Sequence, residues 1–227
     1  MTAPVQQPSA ASATSLVKTL GIVSTVCGLI IVGAYQGTYD AAAANRRLAL
    51  ERTVFKVIPA AKSMTEWLAT PQGIRPAGGE AAAGAVKFYA AYDAEGVLAG
   101  IAAEGAAKGY ADTVRILYGY SPACQCLTGF GLVASKETPG IGDKIVTDKA
   151  FLANFEKLDV RLNAELSALA NEVKAVKHGT KTRAWEIDAI AGATVTSRAV
   201  GKAINDSAQQ LLPKLAPELE KLRKRES

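Results

Sequence analysis

Residues 86–104 read VKFYAAYDAEGVLAGIAAE, and this stretch decides the fold. Two apolar runs flank Asp93, Ala94, Glu95 and Gly96, a turn whose last residue tolerates positive φ. The runs are strands on this reading and the segment is a β-hairpin. Downstream, DTVRILYGYSP (112–122) sets apolar Val114, Ile116 and Tyr118 on alternate positions, the period of a strand, and LTGFGLVAS (127–135) reads as a fourth.

Helical patterns follow the strands. TDKAFLANFEKL (147–158) offers Thr147 or Asp148 as an N-cap, with Phe151, Phe155 and Leu158 at helical spacing. Residues 163–176 have helical composition, and AWEIDAI (184–190) is a short strand. Thr196 or Ser197 then caps a helix running to about Leu212, with Val200, Ala203, Ile204 and Leu211 as its apolar stripe. Strands first and helices later predict an α+β domain: an antiparallel sheet with packed helices.

Upstream, TLGIVSTVCGLIIVGAY (19–35) carries no charge and nearly matches a hydrocarbon core of about 30 Å at ~1.5 Å per residue. Gly21, Ser24, Gly28 and Ala34 permit close approach of partner helices, and Tyr35 and Tyr39 suit a membrane interface. A single transmembrane helix over 19–39 is the preferred reading. The rival is a cleavable signal peptide, since DAAAAN (40–45) supplies small residues after the apolar run. Lys18 precedes the span while Arg46, Arg47 and Arg52 follow it, which taken literally puts the large domain inside. That rule weakens for long translocated domains, so charge leaves orientation open. The predicted division is an N-terminal segment 1–18, the span 19–39, a helical connector and Pro/Gly-rich linker 40–85, a folded domain 86–215 and a charged tail 216–227.

Composition excludes several functions. The chain has 227 residues, of which 49% are hydrophobic, enough for one ordinary domain with an appendage. Its net charge of +5 is dispersed, densest in the tail KLRKRES, with no aromatic-interleaved basic motif, so no nucleic-acid partner is expected. Cys124 and Cys126 stand at Cys-x-Cys spacing, either oxidised to each other or as two free thiols, and Cys27 is a packing residue in an apolar run. The lone His178 lies in the polar KAVKHGTK (174–181) and reads as a surface residue. No Ser/His/Asp set, metal pattern or phosphate-binding Gly-x-x-x-x-Gly-Lys loop is present, so no catalytic residue and no metal site is assigned.

EIDAIAGATVTSRAVGKAIN (186–205) crowds hydroxyls at a helix start. They are caps on the plain reading. The alternative is a phosphate seat, because Gly192 permits close approach of a ligand and a helix N-terminus offers unpaired N–H groups. Asp188 stands six residues before Thr194, whose hydroxyl would accept a phosphoester if another enzyme supplied the activation. In KETPGIGDKI (136–145), Pro139, Gly140 and Gly142 fix a loop of unusual backbone geometry.

DAIAGATVTS (188–197) resembles the flavinylation motif Asp-(Gly/Ala)-x-(Ser/Thr)-Gly-Ala-Thr-x-(Thr/Ser)-Ser of the FMN-binding domain family. GYSP (119–122), Gly129-Phe130 and ETPGIGDKI (137–145) resemble the second signature of its membrane redox members, usually Glu-Thr-Pro-Gly-Leu-Gly. With the anchor and the length, the chain is similar to the G-subunit family of Rnf-type ion-translocating oxidoreductases. The homologous C subunits of sodium-pumping NADH:quinone oxidoreductases are the nearest alternative, another flavinylated membrane redox protein the next and a non-redox binding module the last. The resemblance implies covalent FMN on Thr194 through its phosphate, attached by a Mg-dependent flavin transferase. It implies that Asp188, Gly192 and Ala193 are recognition or geometric elements, and that Thr196 and Ser197 support the phosphate turn or cap the helix. Glu137, Thr138, Gly140, Ile141 and Gly142 would lie beside the isoalloxazine ring. It further implies an electron carrier without substrate turnover of its own, in a complex coupling ferredoxin:NAD⁺ electron transfer to Na⁺ or H⁺ movement. Its partners would be the other membrane subunits and membrane lipid, and its place the bacterial inner membrane with the FMN domain on the outer face. The chain departs from the motif at Ala191, usually Ser or Thr, and at Ile141, usually Leu.

Overall fold

The computed structural model describes residues 12–78 and 84–224. The chain divides into two compact units, Met1–Leu48 and Ala49–Ser227. The first is the larger part of α1 (Ala13–Val57), and its described residues are exposed throughout. By length and composition this helix can cross a membrane. The hydroxyls of Thr19, Thr25 and Thr38 donate to the carbonyls of Ser15, Gly21 and Ala34, one turn back. Such back-bonding satisfies a polar group within its own helix, as an apolar solvent requires.

The second unit is built on a six-stranded antiparallel sheet in the order β2-β1-β3-β4-β5-β6. The strands are β1 (Ser63–Thr70), β2 (Gly73–Pro76), β3 (Val86–Tyr92), β4 (Leu98–Lys108), β5 (Thr113–Ser121) and β6 (Cys126–Ala134). The β3–β4 hairpin turns at Asp93, whose Oδ1 accepts from the N–H groups of Glu95 and Val97, with Gly96 at φ 74°.

Alternation assigns the two faces of the sheet. Phe88, Ala90, Ile101, Ala103, Ile116 and Tyr118 join the main core beneath α3 (Thr194–Leu215). Tyr89, Ala91, Ala102 and Leu117 point the other way, against Val54, Val57 and Ile58 at and just beyond the end of α1. Small residues let both helices approach closely. A Cβ on Gly105 would overlap the Ala203 carbonyl of α3, and one on Gly129 would stand 3.0 Å from Val57 Cα. Across the main core, Ser207 Oγ donates to the Glu104 carbonyl at 2.7 Å, so the Tyr118 hydroxyl, 3.0 Å away, donates to Ser207.

A short helix, α2 (Lys149–Ala153), is capped by Asp148, whose side chain accepts from Phe151 N–H. Phe151 and Phe155 stack with Phe130 of β6. Two short parallel strands, β7 (Lys174–Val176) and β8 (Glu186–Asp188), lead into α3.

Four local expectations differ. Residues 63–76, expected in the connector, are strands of the same sheet, with Trp67 and Ala69 in its core. Residues 163–176 are not helical. Asn163 Oδ1 takes the N–H groups of Ser167 and Ala168, while Asn205 and Gln209 of α3 take those of Val173 and Leu169. Side chains thus replace the helical ladder. The tail up to residue 224 folds back as a 3₁₀ segment, Ala216–Leu222, and Leu98 N–H donates to the Arg223 carbonyl. Finally, α3 begins at Thr194, so neither Thr196 nor Ser197 is its cap; the N-cap is Ala193, with no side-chain bond.

Candidate functional site

The start of α3 meets the loop after β6 across a cavity of about 530 Å³. That lies within the usual range for small-molecule pockets, roughly 300–1,000 Å³. Glu137, Thr138, Ile141 and Gly142 line it from the loop, and Gly192, Ala193, Thr194, Val195 and Thr196 from the helix start. Tyr110, in the turn between β4 and β5, completes the wall.

Glu137 ties the three segments together. Its Oε1 accepts from Ala111 N–H at 3.0 Å and Asp112 N–H at 3.3 Å, and its Oε2 from Tyr110 N–H at 3.3 Å. The Thr196 hydroxyl donates to Oε2 at 2.5 Å. Burial pushes the Glu137 carboxyl up, but the Thr196 hydroxyl and these backbone N–H groups together outweigh it and hold the group below the ordinary range. Glycine makes room for this carboxylate: a Cβ on Gly109 or on Gly142 would come to 2.5 Å from a Glu137 atom.

The hydroxyls at the helix start differ in their engagements. Thr196 is 2% exposed and committed to Glu137. Ser197 is fully buried; it accepts from Ile190 N–H at 3.1 Å and donates to the Ala193 carbonyl at 2.9 Å, fastening the loop that precedes the helix. Thr194, half-buried at the first helical position, has no hydrogen-bond partner for its hydroxyl among the described residues. Gly192 at φ 84° and Gly140 at φ 78° adopt the left-handed backbone that favours glycine. The cavity therefore brings together Thr194, Gly192, Ala193, Thr196, Glu137, Thr138, Ile141 and Gly142. Gly140 shapes the loop, and Ser197 lies behind the wall.

Asp188 stands apart. It lines a different depression with His178, Lys144, Asp148 and Ala191. Its Oδ1 accepts from Gly179 N–H at 2.7 Å, and its Oδ2 is 3.6 Å from Nδ1 of the exposed His178, which donates to the Ala189 carbonyl. Buried Asn154 clamps the same strand end, accepting from Asp188 N–H at 3.0 Å. Tyr110, Val195 and Asn154 carried no signal in the sequence, since each is an ordinary residue whose position only the fold reveals. The Cys124–Cys126 pair, left open above, is a disulfide at the β5–β6 turn.

Fold and cavity together define a domain with a small-molecule-sized site between a loop and a helix start. Residues 109–209 match the family model described as the FMN-binding domain, a span that contains the whole cavity wall. The chain is similar to the G subunit of the Na⁺-translocating ferredoxin:NAD⁺ oxidoreductase complex of Acetobacterium woodii, 36% identical over 107 residues, covering 46% of this chain and 45% of that protein. It is also similar to the G subunit of the ion-translocating oxidoreductase complex of Pasteurella multocida, 32% identical over 114 residues (50% and 51% covered). The corresponding protein of Methanosarcina acetivorans is 29% identical over 122 residues (54% and 56% covered). The chain spans about half the length of the curated relatives it matches. Among solved structures, Shewanella oneidensis NqrC superposes with a TM-score of 0.56 at 18% identity, covering 79% of this chain and 98% of that one. The C subunit of the Na⁺-translocating NADH-quinone reductase of Parabacteroides distasonis gives 0.52 at 16% identity, covering 77% and 91%. These last two likenesses are of fold.

Proposed function

We propose that this chain is the FMN-carrying electron-transfer subunit, of the G type, of an Rnf-like ion-translocating oxidoreductase, with the flavin joined through its phosphate to Thr194. The free Thr194 hydroxyl carries the reading, because the two hydroxyls that follow it are already engaged. Thr194 would hold the flavin through its phosphate, its Oγ1 supplying the ester oxygen at the first position of α3. A separate, Mg-dependent flavin transferase supplies the activation. The first turn of α3 presents unpaired N–H groups and a positive dipole end to the resulting phosphodiester. Ile141, Val195 and Ala193 offer the apolar wall that an isoalloxazine requires. When bound, the flavin supplies the electron chemistry, and the protein places it and sets its surroundings.

In this reading α1 anchors the chain in a membrane beside larger partner subunits and lipid, with the flavin domain on the outer face. The Cys124–Cys126 disulfide supports that side, because such bonds persist in oxidising compartments. A C-type component of a sodium-pumping NADH:quinone oxidoreductase is the second reading. Likeness of fold favours it, and the proteins that copurify distinguish the two.

The test is coexpression with a flavin transferase, followed by denaturing electrophoresis and in-gel flavin fluorescence. The wild type and Thr196→Ala carry fluorescence, and Thr194→Ala carries none. Fluorescence that survives Thr194→Ala and disappears in Thr196→Ala would reverse the assignment.

A further inference from the structure

Three of the six exposed large hydrophobics among the second unit's described residues lie together at one cavity. Among its described residues, the three most exposed large hydrophobics are Tyr110 at 73%, Ile141 at 51% and Val195 at 49%, and all three line the cavity beside Thr194. Exposed apolar groups gathered on a concave surface mark a binding site. Tyr110 differs from its companions in how it is held. Gly109 N–H donates to the Asp112 carbonyl at 2.8 Å, closing the turn, and the N–H groups of residues 110, 111 and 112 all converge on the Glu137 carboxylate. The backbone is therefore pinned while the ring remains open to solvent. Packing of the fold does not explain that ring, since nothing in the core uses it.

We propose that Tyr110 is a flavin-contacting residue, its ring lying against the isoalloxazine and covering it within the cavity. The assignment rests on the FMN reading above. It fits the chemistry on three counts. A planar heterocycle gains offset-stacked or edge contacts from an aromatic neighbour that an aliphatic wall alone does not supply. The pinned turn presents the ring with little backbone freedom left to lose. Glu137 joins the Tyr110 turn to Thr196 on the same first helical turn as Thr194, so the ring and the attachment point share one frame.

The experiment uses the full-length, flavinylated protein and its Tyr110→Leu and Tyr110→Phe variants. Denaturing electrophoresis first establishes attachment; native flavin fluorescence is then compared with that of the same sample unfolded in urea. A phenol against the ring quenches by lending an electron to the excited flavin and taking it back, so the wild type is dim when native and brightens severalfold on unfolding. Tyr110→Leu keeps its fold, because the side chain is mostly exposed and only the backbone N–H of residue 110 meets Glu137, and its flavin-bearing molecules are severalfold brighter when native. Tyr110→Phe keeps the contact but not the phenol and falls between. Native brightness and a visible absorption spectrum unchanged in flavinylated Tyr110→Leu would overturn the assignment and leave the FMN reading intact. A wild type that takes no flavin would overturn both.

Discussion

Glu137 is the residue on which the cavity's geometry turns, and its chemistry makes a pH prediction. Its carboxyl is held below the ordinary value of 4.5, so its contribution to stability is complete above that value and lost as pH falls through the depressed one. Glu137→Gln is expected to cost about 1–3 kcal/mol at neutral pH, because backbone donors and Thr196 lose a charged acceptor. Urea unfolding of the wild type and Glu137→Gln between about pH 7 and about pH 3 checks this: the gap between them narrows below about 4.5. A gap that is constant with pH would remove the carboxylate from the account. The Glu137 network also marks a limit of reading sequence. The neighbours Gly192, Ala193 and Thr194 are visible as a motif because they are contiguous. The turn at 110–112 is not, since it meets Glu137 through backbone N–H groups that every residue except proline carries.

At the scale of the element, the closest helix–sheet approach is α3 over β4. A Cβ on Gly105 would stand 2.9 Å from the Ala203 carbonyl carbon, which is backbone and has no rotamer with which to yield. Gly105→Ala is therefore expected to lower stability by about 1–3 kcal/mol, measured as a lower urea midpoint. On the proposed attachment at Thr194, which stands at the start of the displaced helix, the same variant is expected to take up flavin less completely. Strands β3 to β6 were legible in the sequence because apolar residues alternate in or beside tight turns. β1 and β2 were not: Pro71, Gly73, Pro76 and Gly78 outweigh Trp67 and Leu68 in any local window, and Pro76 is tolerated because β2 is an edge strand. Residues 163–176 failed for the opposite reason. Their composition favours a helix, but Asn205 and Gln209 reach across from α3 and claim the backbone donors.

For the whole molecule, the division near Leu48 predicts where the chain can be cut. The described residues of Met1–Leu48 supply no buried side chain, whereas Val54, Val57 and Ile58 are almost fully buried against the sheet. A fragment of residues 49–227 is expected to fold with a cooperative thermal transition and to stay in solution. A fragment of residues 63–227 loses those three side chains, each worth about 1.5–3 kcal/mol of burial, and exposes Tyr89, Ala102 and Leu117. Circular dichroism melting and sedimentation compare the two. Equal stability would show that the last turns of α1 are dispensable.

The cavity's wall is also widely separated along the chain, and this sets the order in which it forms. The Glu137 contacts to the β4–β5 turn span 25 to 27 residues, but its contact to Thr196 spans 59, and the Ser207 to Glu104 bond that seats α3 spans 103. Contacts of such range carry the larger loop-closure entropy and form slowly. The meander can therefore assemble with the Tyr110 turn in place while the cavity still lacks one side. It closes only when the far end of the chain delivers α3, so the complete cavity is among the last features to appear as the protein folds.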